Sequence, residues 1–434
     1  MPKYTIKSNE QGLFVGPAPS SGYHFINSDG YLTGDSSQTN ALKQLNGLQS
    51  FSYSISSNRE QVSELGRREL VDFVQITPPS VELNFDYYVY DLRNEVRMGF
   101  NPNFQTGSEG SPYYDYNTGV FVFEGFTSTG ESAAYSESNW PYKKRDKRNL
   151  FFVNGKKGID LVSGKESDLE EYSVLAFGDC YLNSYSTTLA VNDLIRSSIS
   201  YTADNVSYHT SGSGNIPAIE PTGYTNVNQN IFKIPVMEDE VHGKSKIGLF
   251  ENQENPSTPL LCSDLIMEIK ATGYGDNQKD IEDIGFDFGT FHLQEATFDV
   301  SFERREYIGL GYAIPIDRPV RYPIIVNSTI SALVSTSKTG ELRNIFNKDH
   351  KYDVTIKARN RQVACSGEVE PYTVLQYDLV QSNVDSIDFS NQVNDRAFLG
   401  MSFVTDVADN VSGKGLFISG KITETGTAFS GFNF

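Results

Sequence analysis

Cysteine is scarce: Cys180, Cys262 and Cys365 are the three in 434 residues, far apart and outside any CxxC pair. That spacing argues against a disulfide framework or a thiolate metal site and fits synthesis in a reducing compartment. Long apolar runs are missing too. No window approaches the ~18 residues of a membrane-spanning helix, and the opening MPKYTIKSNEQG has no apolar core of leader type, so neither membrane insertion nor a cleavable leader is expected. The five histidines, His24, His209, His242, His292 and His350, are scattered, and no HExxH, GxSxG, Walker or Rossmann pattern occurs. The acid-rich stretch 276–287 lacks the glycine that a calcium loop of EF-hand type requires. The expectation is a protein that is not an enzyme, with no catalytic residue, cofactor or metal ligand assigned. Basic residues are outnumbered, 36 Lys and Arg against 55 Asp and Glu for a net charge of -19, which disfavours a protein that grips duplex nucleic acid.

Amphipathic helical patterns are rare, apart from a short stretch at 341–347 that predicts one short helix; residues 191–196 are too few to assign. What fills the chain is Tyr, Phe, Ser, Thr, Asn and Gly in short alternating runs broken by turn residues, the pattern of a mainly β protein. The length predicts two or three domains.

An internal duplication fixes the architecture. Residues 48–81 lie on 293–326 with a constant offset of 245 and no gap, matching Leu48, Gln49, Ser56, Arg59, Leu65, Gly66, Asp72, Pro78 and Val81 to identical residues. Farther on, YSVL at 172–175 faces YTVL at 372–375, VND at 191–193 faces 393–395, and ADNVS occurs at 203–207 and 408–412. The offsets fall from 245 to between 200 and 205, so the first copy carries ~40 extra residues, placed by the sequence within about 91–147. Gly, Ser, Asn and Tyr dominate that insertion, as in a long surface loop. It ends in the basic run KKRDKR, read as a solvated face. The domain reading is an N-terminal arm over 1–45, a first domain over 46–210 with its insertion, a connector over 211–259 and a second domain over 260–434.

Alternation sends side chains to opposite faces of a strand, so the two copies are compared face by face. Phe51, Tyr53 and Ile55 oppose Ser52, Ser54 and Ser56; Val81, Leu83, Phe85 and Tyr87 oppose Glu82, Asn84 and Asp86. In the second copy Ala296, Phe298, Val300 and Phe302 oppose Thr297, Asp299, Ser301 and Glu303, and Val326, Ile330 and Val334 oppose Asn327, Thr329 and Ser331. Each copy therefore predicts a strand pair with one core face. The thirteen residues of the other face include hydroxyls, amides and acids but no cation. Such a face lets a polyanion slide, because each neutralised phosphate would add affinity, and it also simply suits exposed strands. Between the two strands runs a charged segment with Arg59, Glu60, Glu64, Arg67, Arg68 and Asp72, echoed by Arg304, Arg305, Glu306, Asp317 and Arg318. Mixed charge in a long excursion suits an arm that docks on a neighbour.

These residues resemble a family. The stretch LQSFSYSISSNREQVSELGRRELVDFVQITPPSVELNF, its echo in the second half, and YSVLAFGDCYLNSYSTTLAVNDLIRSSISYTADNV are similar to bacteriophage tail tube proteins, the major tail proteins. Asn58, Arg59, Glu60, Val62, Leu65 and Gly66 match the charged arm, and Ser184, Tyr185, Ser198, Ile199, Ser200 and Tyr201 match the later block. The second arm departs at Glu303-Arg304-Arg305-Glu306. The resemblance implies two tandem β-sandwich or barrel domains of tail-tube type, each with a short helix, in a virion protein assembled in the host cytoplasm. Its partners would be itself, other tail proteins and viral DNA in passage. Three chains would close a ring of six domains, and stacked rings would form the conduit for DNA ejection. On this reading the cation-free face lines the lumen. Two other readings remain open: a baseplate hub or tube-initiator protein with the same duplicated domain, and a receptor- or polysaccharide-binding tail protein with Trp140, Tyr113, Tyr114, Tyr116 and Tyr142 as a sugar platform.

Overall fold

The computed structural model describes residues 11–17, 43–57, 59–75, 79–90, 147–155, 172–210, 213–217, 229–233, 236–239, 244–247, 265–273, 291–308, 318–334, 350–359, 373–390, 398–407 and 415–420, with scattered positions between 92 and 123 and Pro315. The first half contains β1 (Gln11–Pro17), the two-residue β2 (Lys43–Gln44), β3 (Leu48–Ser56), the hairpin β4 (Arg59–Val62) and β5 (Asp72–Gln75), and β6 (Ser80–Tyr88). It continues with the short pair β7 (Phe100–Asn101) and β8 (Val122–Phe123), then β9 (Lys147–Asn154), the long β10 (Ser173–Ala190) and β11 (Arg196–His209). Two small hairpins follow, β12 (Ser213–Pro217) with β13 (Gln229–Lys233) and β14 (Val236–Asp239) with β15 (Lys244–Ile247). The second half supplies β16 (Leu265–Gly273), β17 (Phe291–Ser301), β18 (Ile324–Val334), β19 (His350–Arg359), the long β20 (Thr373–Ser390), β21 (Phe398–Val407) and β22 (Gly415–Gly420).

The chain is mainly β, and fourteen of its described strands form one antiparallel sheet. Its order shows the duplication directly. The first half runs β1-β9-β10-β11-β6-β3 and the second β16-β19-β20-β21-β18-β17, the same path through six strands taken in the same chain order. The two paths meet where β17 pairs with β10. Finer landmarks repeat as well. Pairing slips one residue at Gln49 in β3 and at Gln294 in β17, 245 apart. Left-handed residues bend the long strands at Asp179 (φ 51°) and Gln381 (φ 55°). Each bend is capped from the neighbouring strand: Asp179 N–H donates to Asn149 Oδ1 (3.1 Å) and Gln381 N–H to Asp353 Oδ1 (2.8 Å). A bulge follows each bend, at Asn183 and at Asp385. Non-glycine residues in this backbone region need local hydrogen bonds to hold them, and both copies supply the same one.

These landmarks set β10 on β20 with an offset of 202, two more than the YSVL and YTVL similarity suggests. The shift is even, so every side chain keeps its face. Two expectations change. Within the stretch read as an arm, residues 11–17 belong to the sheet, because β1 pairs with β9 along its length and is the counterpart of β16 on β19. The basic run at 143–148 is not all solvated, because β9 begins at Lys147 and carries Arg148 into the interior. Residues 191–195 form the turn between β10 and β11, which begins at Arg196, and one helical turn is described at Asn94 and Glu95, where Met98 N–H donates to the Asn94 carbonyl (2.9 Å). The short helix expected at 341–347, the second ADNVS, the second VND, the acid-rich stretch 276–287 and the Trp140 aromatic cluster lie outside the described residues.

The buried apolar side chains of both halves form one cluster, so the two modules share a core. Phe51 of β3 stacks on Phe152 of β9 (4.1 Å between centroids) and lies 5.9 Å from Phe177 of β10, and Phe298 of β17 stacks on Tyr377 of β20 (4.8 Å). Hydroxyls are buried there in numbers. Tyr87 donates to Glu95 Oε1 (2.7 Å), and the Tyr185 hydroxyl of the first module meets the Tyr377 hydroxyl of the second (3.3 Å). Burial holds the phenol pKa values of Tyr87, Tyr185 and Tyr377 above the ordinary tyrosine range, with the Glu95 charge adding to the rise. A raised folded-state pKa stabilises fully below the unfolded value, ~10, and that contribution is lost as pH rises above it. Stability should therefore fall above about pH 10 by ~1.4 kcal/mol per pH unit for each of the three. Urea midpoints between pH 9 and 12 measure this, and Tyr185→Phe with Tyr377→Phe should flatten the slope.

Candidate functional site

The polar face is continuous across the sheet. Ser52 lies opposite Asn84 and Ser54 opposite Glu82; Asn84 then faces Ser200, which faces Ser184, which faces Ser301. Asp86 faces Ser198, Ser198 faces Ser186, and Ser186 faces Asp299, which faces Asn327. Thr297 and Thr329 are opposite each other, Thr329 faces Ser402, and Ser402 faces Ser386. Ser331 continues the same face opposite Glu295, and Ser56 closes it opposite Ser80. Cross-strand hydrogen bonds lie along it, Ser56 with Ser80 (2.7 Å), Ser386 with Ser402 (2.8 Å) and Ser186 to Asp299. Twelve of the thirteen residues read from the sequence thus share one face. Glu303 lies past the end of β17 and forms an exposed ion pair with Arg321 (3.7 Å).

The sequence reading missed the contribution of the long hairpins, whose period-2 signal is present in NSYSTT and RSSISYT. They supply Ser184, Ser186, Thr188, Ser198, Ser200 and Thr202, and in the second module Ser386, Asp388 and Ser402. They also add a cation. Among the described residues on this face of the central strands that is Arg196, and it is neutralised by Asp86 at 2.5 Å. Partial burial pushes the Asp86 carboxyl up, but hydrogen bonds from Ser50, Ser198 and Arg196 and the Arg196 charge outweigh it, leaving its pKa below the ordinary value.

The opposite face tells the modules apart. In β17 it is sealed, with Phe298 at 0% and Val300 at 1% exposure, because β10 flanks the strand on one side and β18 on the other. In β3 the equivalent Tyr53 and Ile55 are 48% and 55% exposed. The expectation of a core face on β3 therefore holds for Phe51, which is half-buried, and fails for Tyr53 and Ile55. No described strand lies on the outer edge of β3, the place that β10 takes beside β17. The matching edge on β20 is also open. Residues 383–390 pair with β21 on one side, and among the described strands nothing lies on the other.

The two arms differ in the same sense. The second docks inside the chain. Arg304 donates from Nε to the Leu182 carbonyl at the β10 bulge (2.9 Å) and lies over the Tyr181 ring. Phe302 N–H donates to the bulge carbonyl of Asn183 (2.7 Å). Arg318, buried, bridges Asp204 of β11 (3.1 Å) and Glu306 (3.2 Å). Arg305 lies over Tyr307 at the exposed rim, and Asp317 lies outside the described residues. The first arm, with Arg59, Glu60, Glu64, Arg67, Arg68 and Asp72, is the hairpin β4–β5, exposed over 59–74. Its apolar residues Val62, Leu65, Leu70, Val71, Phe73 and Val74 face solvent. An isolated two-stranded hairpin is marginal in water, and a surface this apolar marks a contact site.

No protein-family model matches the chain, and no curated protein matches it. Among solved structures, one described as the crystal structure of Hcp protein is similar over 36% of this chain and 99% of its own length, at 13% identity and a TM-score of 0.20. A likeness of that depth carries no argument about fold or function, which rest on the strand order, edges and faces above.

Proposed function

We propose that the protein is a structural one that joins copies of itself edge to edge into a ring, and that stacked rings form a tube. The observation that supports this most is that two of the open edges among the described strands are complementary. One of them, on β3, is the counterpart of β17; the other, on β20, is the counterpart of β10; and β17 and β10 are already joined inside the chain. A head-to-tail contact of this kind makes a ring where its rotation closes, and closure removes the exposed strand edges.

The finer reading is a bacteriophage tail tube in which three chains supply six modules and the polar face lines the bore. Hydroxyls, amides and acids suit the passage of DNA, since among the described residues of the central strands this face carries one arginine and Asp86 neutralises it. Other tail proteins would cap the tube, and the protein would reside in the virion after assembly in the host cytoplasm. Negative-stain microscopy of the purified protein tests this, with long tubes of stacked rings expected. Isolated rings that never stack would favour a hub or tube initiator, and monomers at tens of micromolar would overturn self-assembly.

A further inference from the structure

The internal junction is a template for a second one. Applying its landmarks to the open edges, with the offset of 202 for the long strands and 245 for the edge strands, sets Ser54 opposite Asp388, Ser52 opposite Ser390, Ser56 opposite Ser386 and Ile55 opposite Ile387. We propose that β3 of one copy pairs with the C-terminal half of β20 of a second copy in this register, and that the Ser–Asp position decides which edges join. The inference rests on the self-assembly reading.

Three observations converge on a second copy as the occupant. The exposed Tyr53 and Ile55 sit where Phe298 and Val300 are sealed by β10, so a β10-like strand is what the edge lacks, and β20 is that strand. Backbone groups match too. The carbonyl of Asp385 lies at the β20 bulge as that of Asn183 does at the β10 bulge, and Ser57 N–H and the Arg59 guanidinium are the counterparts of Phe302 N–H and Arg304, which bind the first bulge. Arg59 would then donate to the Val384 carbonyl of the second copy.

The third observation is a reciprocal exchange. In the internal junction the serine is on the long strand, Ser186, and the acid on the edge strand, Asp299, joined by a hydrogen bond. In the proposed junction the serine is on the edge strand, Ser54, and the acid on the long strand, Asp388. Both allowed junctions therefore contain one hydroxyl donating to one carboxylate, a charge-assisted bond. A wrong junction between two second modules would set Asp388 against Asp299, like charges directly opposite. A wrong junction between two first modules would set Ser186 against Ser54, with no charge to assist. The position thus adds a charge rule to the alternation of modules that the internal β10–β17 junction already imposes.

Sedimentation of the full chain tests this. Ser54→Asp should weaken association about tenfold, and Ser54→Asp with Asp388→Ser should restore it to within about twofold of the parent. Both positions are exposed, and unchanged melting curves would show that the fold survives. In parallel, Ser54→Cys with Asp388→Cys should give an intermolecular disulfide under oxidation, while Ser52→Cys with Asp388→Cys should not, because diagonal neighbours are too far apart. Rings or tubes that form without the Ser54–Asp388 cross-link, and that are indifferent to Ser54→Asp, would overturn the register and leave self-assembly standing. A parent protein that remains monomeric would overturn both.

Discussion

Replacing Arg318 with alanine should destabilise the chain by about 3–5 kcal/mol, the usual cost of stripping one partner from a buried ion pair. Its guanidinium and the Asp204 carboxylate have side-chain exposures of 5% and 3% and lie 3.1 Å apart, one from each module. Without Arg318, the buried Asp204 loses the guanidinium that lies 3.1 Å from it, and Tyr181 loses a guanidinium from its ring face at 5.9 Å. The damage should be concentrated at the seam. Amides of β17 and of the C-terminal half of β10 should exchange hydrogen fastest, while β19 and the N-terminal half of β20 keep their protection. Arg318→Met with Asp204→Leu should recover most of the loss, since replacing both charges with apolar groups leaves nothing unsolvated. Global unfolding measured by denaturant separates the cases: a loss below about 1 kcal/mol for Arg318→Ala would mean that the seam is held by the shared apolar core alone.

The exposed pair offers a contrast within the same arm. Arg321 and Glu303 have side-chain exposures of 73% and 75%, so solvent screens them and their removal should be close to neutral. Of the charged residues that the sequence marks in the second arm, the structure gives Arg304 and Arg318 a buried or half-buried role and leaves Arg305 and Glu306 at the rim. Nothing in the local pattern distinguishes Arg318 from Arg321. What does is the position of β11, a hundred residues away, which brings Asp204 to the first and not to the second.

The hairpins β3–β6 and β17–β18 were legible because identities persist at one offset and alternation assigns faces without knowledge of neighbours. The pairing of β1 with β9 and β16 with β19 was not, since Leu13 and Val15 correspond to Met267 and Ile269 only through the register, and no residue of β1 is repeated at the matching position of β16. The bends were hidden for a similar reason. Asp179 and Gln381 share a backbone conformation but not a side chain, and their caps, Asn149 and Asp353, share only an oxygen in the right place. Exposure of Tyr53 and Ile55 could not be read from alternation, which gives the face of a strand but not whether anything covers it.

If the polar face lines a passage for DNA, as proposed, lysine placed on it should make the assembled protein hold DNA. Asp86 and Asp299 are the wrong positions for the test, because the first neutralises Arg196 and the second bonds Ser186 across the internal junction. Asn84, Asn327 and Thr329 are exposed, lie on the same face, and make no side-chain bond on which the sheet depends. With Asn84→Lys, Asn327→Lys and Thr329→Lys, three phosphate contacts per chain become available. Binding of duplex DNA to the assembled protein should then appear at 50 mM salt and weaken about fortyfold by 200 mM, from a slope of ~0.9 per phosphate. The parent should bind weakly at both. If the triple variant assembles and still fails to retain DNA at 50 mM salt, the face does not line a passage that DNA can enter. If the parent binds DNA tightly, the low-friction reading fails whatever the variant does, because a strand held at each ring would not slide.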